Sequence, residues 1–160
     1  CSRPEPEKYL VAGLLHDLGR VMLFSMYPDT AKVALAMHQT HGDSLNEAEK
    51  WLFDVDHGLV GGLFFGEWGL PRSVVQSAIY HHDPDQCWGK DVPEVVFVAN
   101  QLATALGIGC DRTYCLPPGL AIWEKLGLGL DVLRPMVMEA DHKLWAMFRS
   151  MFEPRNNNRR

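Results

Sequence analysis

Four histidines and one aspartate are the residues of this 160-residue chain whose types and placing could do chemistry. His16 and Asp17 are adjacent near the end of the first apolar segment. His57, His81 and His82 stand at the ends of later predicted helices. Imidazole nitrogens and a carboxylate oxygen are common ligands of divalent metals that assist hydrolysis. Because the ends of neighbouring helices can meet at one cavity, these residues are candidate ligands of a single metal site.

Each of these residues also has a purely structural explanation. Asp17 can cap a helix, and His16 can be a hydrogen-bonded core residue. A protonated histidine at a helix C-terminus is favoured by roughly 0.3–1 kcal/mol, which would explain His81 and His82. Consecutive helical side chains point about 100° apart, so His16 and Asp17 reach one metal only if the helix ends or bends there. Gly19 makes such a bend easy.

Hydrophobic periodicity predicts an all-α bundle, because no segment shows the sustained polar/apolar alternation of a half-buried strand. The first helix should run from Tyr9 to near Gly19 and be buried in the middle of the bundle, since it is apolar on almost every side. A second apolar run stops at Tyr27, before a proline. Further helices are expected over about 30–40, 45–53, 57–68, 72–81, 93–106, 120–126 and from 131 onward.

Two helix starts and one glycine pair carry local signals. Ser44 and Glu47 fit a capping box, and Asp56 can cap the helix that follows it. Gly61 and Gly62 lie inside that helix, where glycine lowers stability unless another backbone packs close.

Composition excludes several classes of function. Lys plus Arg number 15 against 20 Asp plus Glu, a net charge of −5 that opposes direct nucleic-acid binding. No stretch approaches the roughly 20 uncharged apolar residues that span a bilayer, so no membrane association is expected. The four cysteines have no Cys-x-x-Cys spacing, which favours a reducing, cytoplasmic location. We expect one domain over 1–160, with a frayed tail at 153–160.

Several segments resemble a known family. Residues 12–20, Ala-Gly-Leu-Leu-His-Asp-Leu-Gly-Arg, resemble the signature of the HD-domain superfamily of metal-dependent phosphohydrolases. The downstream segments resemble more particularly the HDOD family, a set of bacterial signal-transduction domains. They occur in family order and spacing at 56–62, 67–71, 78–84 and 96–103, so the resemblance covers about 9–106.

The resemblance implies an HD-domain-like bundle with a shared polar cluster. In catalytic members these positions hold divalent metals that activate water against a phosphate ester. The corresponding residues here are His16, Asp17, His57, His81, His82 and Asn100.

This chain departs from the catalytic pattern in three ways. The opening histidine of the superfamily has no counterpart before residue 9, so the chain is expected to lack the N-terminal helices of the domain. The Gly-Tyr-Pro element of cyclic-dinucleotide phosphodiesterases is also absent. Asn100 stands where catalytic relatives carry aspartate. Two divalent ions would set four positive charges against the single carboxylate of Asp17, so one ion (Fe, Mn, Zn or Mg) or none is expected.

The function expected from these observations is a regulatory signal-transduction domain with a degenerate metal pocket. The alternative is a metal-dependent phosphohydrolase acting on a nucleotide or phosphate ester, with Asp17 and Arg20 as catalytic residues. A purely structural bundle is the third possibility, and the ordered motifs argue against it. A signalling protein partner or self-association is expected, because the apolar first helix must be covered by upstream helices or by another chain.

Overall fold

The computed structural model describes residues 5–42, 44–87, 91–108 and 120–152, and over these residues the chain is all-α, with no strand. The predicted all-α fold is confirmed. The predicted tail, 153–160, lies outside the described residues. The helices are α1 (Pro6–Leu15), α2 (Leu18–Met26), α3 (Pro28–His41), α4 (Leu45–Phe53), α5 (His57–Glu67), α6 (Arg72–Tyr80), α7 (Asp91–Ala105), α8 (Leu120–Lys125) and α9 (Leu130–Phe152), with a 3-10 turn at Pro84–Gln86.

The chain divides into two compact units, Cys1–Pro118 and Gly119–Arg160. The first contains α1 to α7 and all candidate site residues, and the second contains α8 and α9. The expectation of a single domain over 1–160 stays a prediction. The expected motif-bearing core, 9–106, lies within the first unit.

The first apolar segment forms two helices rather than one. The prediction that the first helix ends near Gly19 is wrong, because α1 ends at Leu15 and Gly19 lies inside α2. The break falls on His16 and Asp17 themselves, with Asp17 at φ −97° and ψ 0°. The helix is therefore interrupted at the His-Asp pair, which is the condition under which both side chains can reach one site, and Gly19 lies beyond the break.

Gly19 serves a different purpose, which is a close crossing of α2 and α5. A Cβ atom added to Gly19 would lie 2.5 Å from the backbone nitrogen of Gly61, and it would collide with the carbonyl oxygen of His57. The prediction that Gly61 needs another backbone close by is confirmed. Gly62 packs instead against the side chain of Ile79 on α6.

Local capping residues set the starts of α4 and α5. Ser44 and Glu47 form the predicted capping box at α4. Asp56 caps α5, accepting a hydrogen bond of 2.8 Å from the backbone amide of Leu59. These caps fix where α4 and α5 begin, and thus where His57 stands.

Small apolar clusters hold the helices of the first unit together. They join α1 to α7, α3 to α4, and α5 to α6, through Ala12, Val92 and Val96, through Ala34, Leu45 and Ala48, and through Phe65, Val74 and Ala78. The prediction that the first helix is buried on all sides is wrong for the described residues, because Leu10 and Leu14 are 63% and 72% exposed. The covering segment or partner that this face requires stays a prediction.

One stretch, Pro6–Met26, is long and apolar enough by length and composition to cross a membrane. Such evidence is weak, because the core helix of a globular protein passes the same test. The structure divides this stretch between α1 and α2, with His16 and Asp17 at the junction.

Candidate metal centre

The candidate ligands come from helix ends, as predicted. His16 follows the last residue of α1, and Asp17 precedes the first residue of α2. His57 is the first residue of α5, and His81 and His82 follow the end of α6. The structure brings one ligand atom each from Asp17, His57, His81 and His82 within 4.8 Å of one another.

Close packing of glycine backbones explains why these ends meet. The contact of Gly19 with His57 and Gly61 brings the start of α2 against the start of α5. A Cβ atom on Gly58 would lie 2.6 Å from the carbonyl oxygen of Ala78, so the start of α5 is equally close to the end of α6. Side chains at these positions would push the ligands apart.

The Asp17 carboxylate lies at the centre of the cluster. Its Oδ1 atom is 2.9 Å from Nε2 of His57 and 3.5 Å from Nε2 of His81, and its Oδ2 atom is 3.5 Å from Nε2 of His16. Burial favours the neutral acid, but the contacts with His57 and His81 and the charge of Arg20 hold the pKa of Asp17 well below its ordinary value. Asp17 makes no side-chain cap to α2, so the capping explanation is wrong.

Three of the imidazoles have their orientation set by an acceptor at Nδ1. Nδ1 of His16 is 2.8 Å from the carbonyl oxygen of Gly13, and Nδ1 of His81 is 2.8 Å from that of Ala78. Nδ1 of His57 is 2.5 Å from a carboxylate oxygen. Because the carbonyl oxygens of Gly13 and Ala78 only accept, Nδ1 carries the proton in the neutral rings of His16 and His81, and Nε2 presents a lone pair. At His57 the carboxylate oxygen accepts at Nδ1 at 2.5 Å, and Nη2 of Arg20 lies 2.9 Å from the same atom.

The Nε2 atoms are spaced like ligands of one ion. Nε2 of His57 is 3.2 Å from Nε2 of His81 and 3.1 Å from Nε2 of His82. Ligands about 2.1 Å from one metal are about 2.9–3.4 Å apart at octahedral or tetrahedral angles. Among the described residues, Oδ1 of Asp17 is a buried atom without a hydrogen-bond partner of normal geometry. Lone pairs this close repel one another unless a proton or a cation lies between them, so the donor set fits a divalent metal.

The protonation states of His81 and His82 also suit a metal. Burial lowers the pKa of His82 to about 2, and burial together with neighbouring positive charge lowers the pKa of His81. Both rings are therefore neutral near pH 7, the form in which histidine binds metals. The explanation by capping of a helix C-terminus needs a charged imidazolium, and the lowered pKa values of His81 and His82 argue against it. His57 differs, because contacts with Asp17 and a second carboxylate outweigh burial and raise its pKa.

Comparison with known proteins identifies the family. A family model of the HDOD domain matches residues 1–84, just over half of the chain. The chain belongs to the HDOD family. An uncharacterized protein of Treponema pallidum (strain Nichols) is 27% identical over 73 residues, which are 46% of this chain, and the chain spans only 14% of that protein. No solved structure is significantly similar to the chain.

The HDOD match includes the five histidine and aspartate candidates and ends before Asn100. It makes the chain a regulatory or phosphohydrolase-like domain related to the HD superfamily. His16 lies at the edge of the cluster, with its ring centroid 4.7 Å from that of His81. Asn100 is half-buried on α7, and among the described residues no hydrogen bond joins it to the cluster. The assignments of His16 and Asn100 as ligands stay predictions.

Glu49 of this HDOD domain belongs to the site although the sequence analysis missed it. Its side chain is fully buried, and its Oε1 atom accepts from Nε of Arg20 at 2.8 Å while Oε2 is the partner of His57. The sequence did contain a signal. Leu45, Ala48 and Leu52 recur at helical spacing, and Glu49 falls within this apolar stripe, where a carboxylate is unusual.

Arg20, the second candidate catalytic residue, is held inside the protein. Its Nη1 atom is 3.5 Å from Oδ2 of Asp17, and its pairing with Glu49 explains its burial without any substrate. One approach to the HDOD cluster from solvent is at His82. A cleft of about 410 Å³ reaches His82 and is lined by Lys50, Asp56 and several other residues.

Proposed function

We propose that this chain is a regulatory, signal-transducing HDOD domain that holds one divalent cation between Asp17, His57, His81 and His82. The observation that carries the proposal is the convergence of one oxygen and three nitrogen atoms from these residues within ligand spacing of one another. A cation removes the repulsion between these acceptors and locks together the ends of α2, α5 and α6. The bound ion would act as a structural or regulatory centre.

The charge balance supports one ion and not two. Asp17 supplies one negative charge to the ligand set, since the charge of Glu49 is compensated by Arg20 at 2.8 Å. One divalent ion then leaves a net charge of about +1, whereas two ions would leave about +3 in a partly buried site. Iron, manganese, zinc and magnesium are the candidate ions, and the three imidazoles favour the transition metals among them.

The metal-dependent phosphohydrolase is the second candidate, and the cleft that reaches His82 is the observation that favours it. A bound metal would supply Lewis-acid activation of water and of a phosphate oxygen. Asp17, His57, His81 and His82 would hold the ion, and a nucleotide or phosphate ester would enter through the cleft. The cleft has one cation, Lys50, and this is paired with Asp56 at 3.3 Å, so the described lining offers little to attract a phosphate.

A protein partner and a cytoplasmic location are also proposed. Exposed apolar side chains on α1 and α2, among them Leu10, Leu14 and Val21, support docking of a protein segment on this face. The acidic composition supports the proposal that no nucleic acid is bound directly.

The test is metal content followed by titration of metal-depleted protein with Mn²⁺, Fe²⁺ and Zn²⁺ in a calorimeter. We expect one ion per chain and at least a tenfold loss of affinity in Asp17→Asn, which removes the charge but keeps the shape. His142→Ala is the matched control, because His142 is an exposed histidine in the second unit. Absence of binding, or equal affinity in wild type and Asp17→Asn, would overturn the proposal.

An assay with a chromogenic phosphodiester separates the two candidate functions. Turnover by the metal-loaded protein that is lost in Asp17→Asn would establish the phosphohydrolase. A metal-loaded protein without turnover supports the regulatory function.

A further inference from the structure

His57 differs from the other oriented imidazoles because it stands at the beginning of a helix. His16 and His81 follow the ends of α1 and α6, so each Nδ1 atom reaches a carbonyl three residues earlier in the same helix, at Gly13 and Ala78. His57 is the first residue of α5 and has no preceding helical turn to provide such a carbonyl. Its Nδ1 atom needs an acceptor from another element.

Glu49 of α4 provides that acceptor and binds His57 at two points. Its Oε2 atom lies 2.5 Å from Nδ1 of the His57 ring and 3.1 Å from the His57 backbone nitrogen. Nη2 of Arg20 also lies near Nδ1, at 2.9 Å, but the contact with the carboxylate is the shorter of the two and favours a proton on Nδ1. The backbone contact satisfies one of the free amides at the start of α5. Two contacts from one carboxylate oxygen fix both the position of the residue and the rotation of its ring.

Glu49 is not needed to cap α4. Helix α4 is already capped by Ser44 and Glu47, and a fully buried carboxylate is costly unless it is paired and hydrogen-bonded. Arg20 compensates its charge, so Glu49 adds no net negative charge to the cluster.

We infer that Glu49 is a positioning residue that keeps the proton of His57 on Nδ1 and aims Nε2 of His57 at Asp17. As a contribution to metal affinity, this inference rests on the proposed function. Loss of such an outer hydrogen bond lowers metal affinity about 10–100-fold in metal sites. The tautomer itself is a property of the metal-free protein and is measured without any ion.

The experiment combines nitrogen-15 NMR of the histidine side chains with metal titration. In metal-free wild type, at a pH above the titration of His57, we expect the proton on Nδ1. Glu49→Met should move the proton to Nε2 or mix the two tautomers, and should lower divalent affinity about 10–100-fold. Glu47→Gln is the control, because Glu47 is an exposed carboxylate on the same helix that contacts only the N-cap.

A double variant distinguishes loss of the Glu49 contact from a folding defect. Arg20→Met with Glu49→Met removes both charges at once and leaves no unpaired buried ion, a replacement that proteins often tolerate. We expect Nδ1 of His57 to lose its preference for the proton and the divalent affinity to fall about 10–100-fold, with a circular dichroism spectrum like that of wild type.

Two results would overturn the inference: a wild-type His57 with its proton on Nε2, or folded variants that keep the tautomer and the affinity of the Glu47→Gln control. These failures differ from that of the proposed function. If wild type binds no metal but shows the Glu49-dependent tautomer, the metal proposal fails and the positioning role stands. If metal binds with equal affinity in wild type and in the folded Glu49 variants, the metal proposal stands and the contribution of Glu49 to metal affinity is refuted.

Discussion

Gly19→Ala tests whether the close crossing of α2 and α5 builds the site. The added Cβ would lie 2.5 Å from the nitrogen and 2.8 Å from the Cα of Gly61, and it would collide with the carbonyl oxygen of His57. Ordinary contacts begin at 3.4 Å, so the two helices must separate by roughly 1 Å. All three atoms belong to the backbone, and no side-chain rotation relieves the contact.

The expected change in the free energy of unfolding is the difference between two opposing effects. Overpacking costs about 1–3 kcal/mol, and a contact with backbone belongs at the upper end of that range. Alanine regains about 1 kcal/mol of helix propensity over glycine. We therefore expect Gly19→Ala to lower the free energy of unfolding by about 2 kcal/mol, and to weaken metal binding because the separation moves His57 away from Asp17.

Gly13→Ala is the matched control, because nothing lies within 4 Å of a Cβ atom added at that position in α1. It should raise the free energy of unfolding by about 0.5–1 kcal/mol. Urea denaturation followed by far-UV circular dichroism measures both variants. If the two variants change stability equally and in the same direction, the close crossing is not what requires glycine, and the reasoning fails.

Three other substitutions test the core, a cap and the candidate ligand Asn100. Phe65→Ala should lower the free energy of unfolding by about 3–5 kcal/mol, because Phe65 is fully buried between α5 and α6; a loss below about 1 kcal/mol in urea denaturation would contradict this packing. Ser44→Ala should cost about 1 kcal/mol by removing the capping box of α4, and an unchanged urea midpoint would show that the cap contributes nothing. Asn100→Asp should raise divalent affinity in calorimetry by adding a carboxylate, whereas an unchanged titration would show that Asn100 does not face the site.

Local signals in the sequence were sufficient for the helix class and for most helix starts. Ser44 and Asp56 cap the helices that they were predicted to cap, because a cap involves atoms within one turn of the chain. The end of the first helix was predicted wrongly for the complementary reason. Gly19 favours a helix end when judged locally, but its lack of a side chain is used for contact with α5, which lies far along the sequence.

The residues of the site were likewise predictable only where local features of the sequence mark them. Residue types and helix ends were enough to nominate Asp17, His57, His81 and His82, which the structure brings together. They were not enough to identify Glu49, because its importance depends on the packing of α4 against α2 and α5. A sequence pattern shows that a carboxylate falls on an apolar face, but it does not show which cation or imidazole meets it there.

The sequence by itself determined an all-α chain, the places where most of its helices begin, and a set of candidate metal ligands at helix ends. The tertiary structure alone decided which of those ends meet, which nitrogen of each imidazole faces Asp17, and that Arg20 is paired inside the protein. The physical reason is the distance along the chain over which each interaction acts. Helix propensity and capping act between neighbours in the chain, whereas the spacing of ligands depends on how closely distant helix backbones approach.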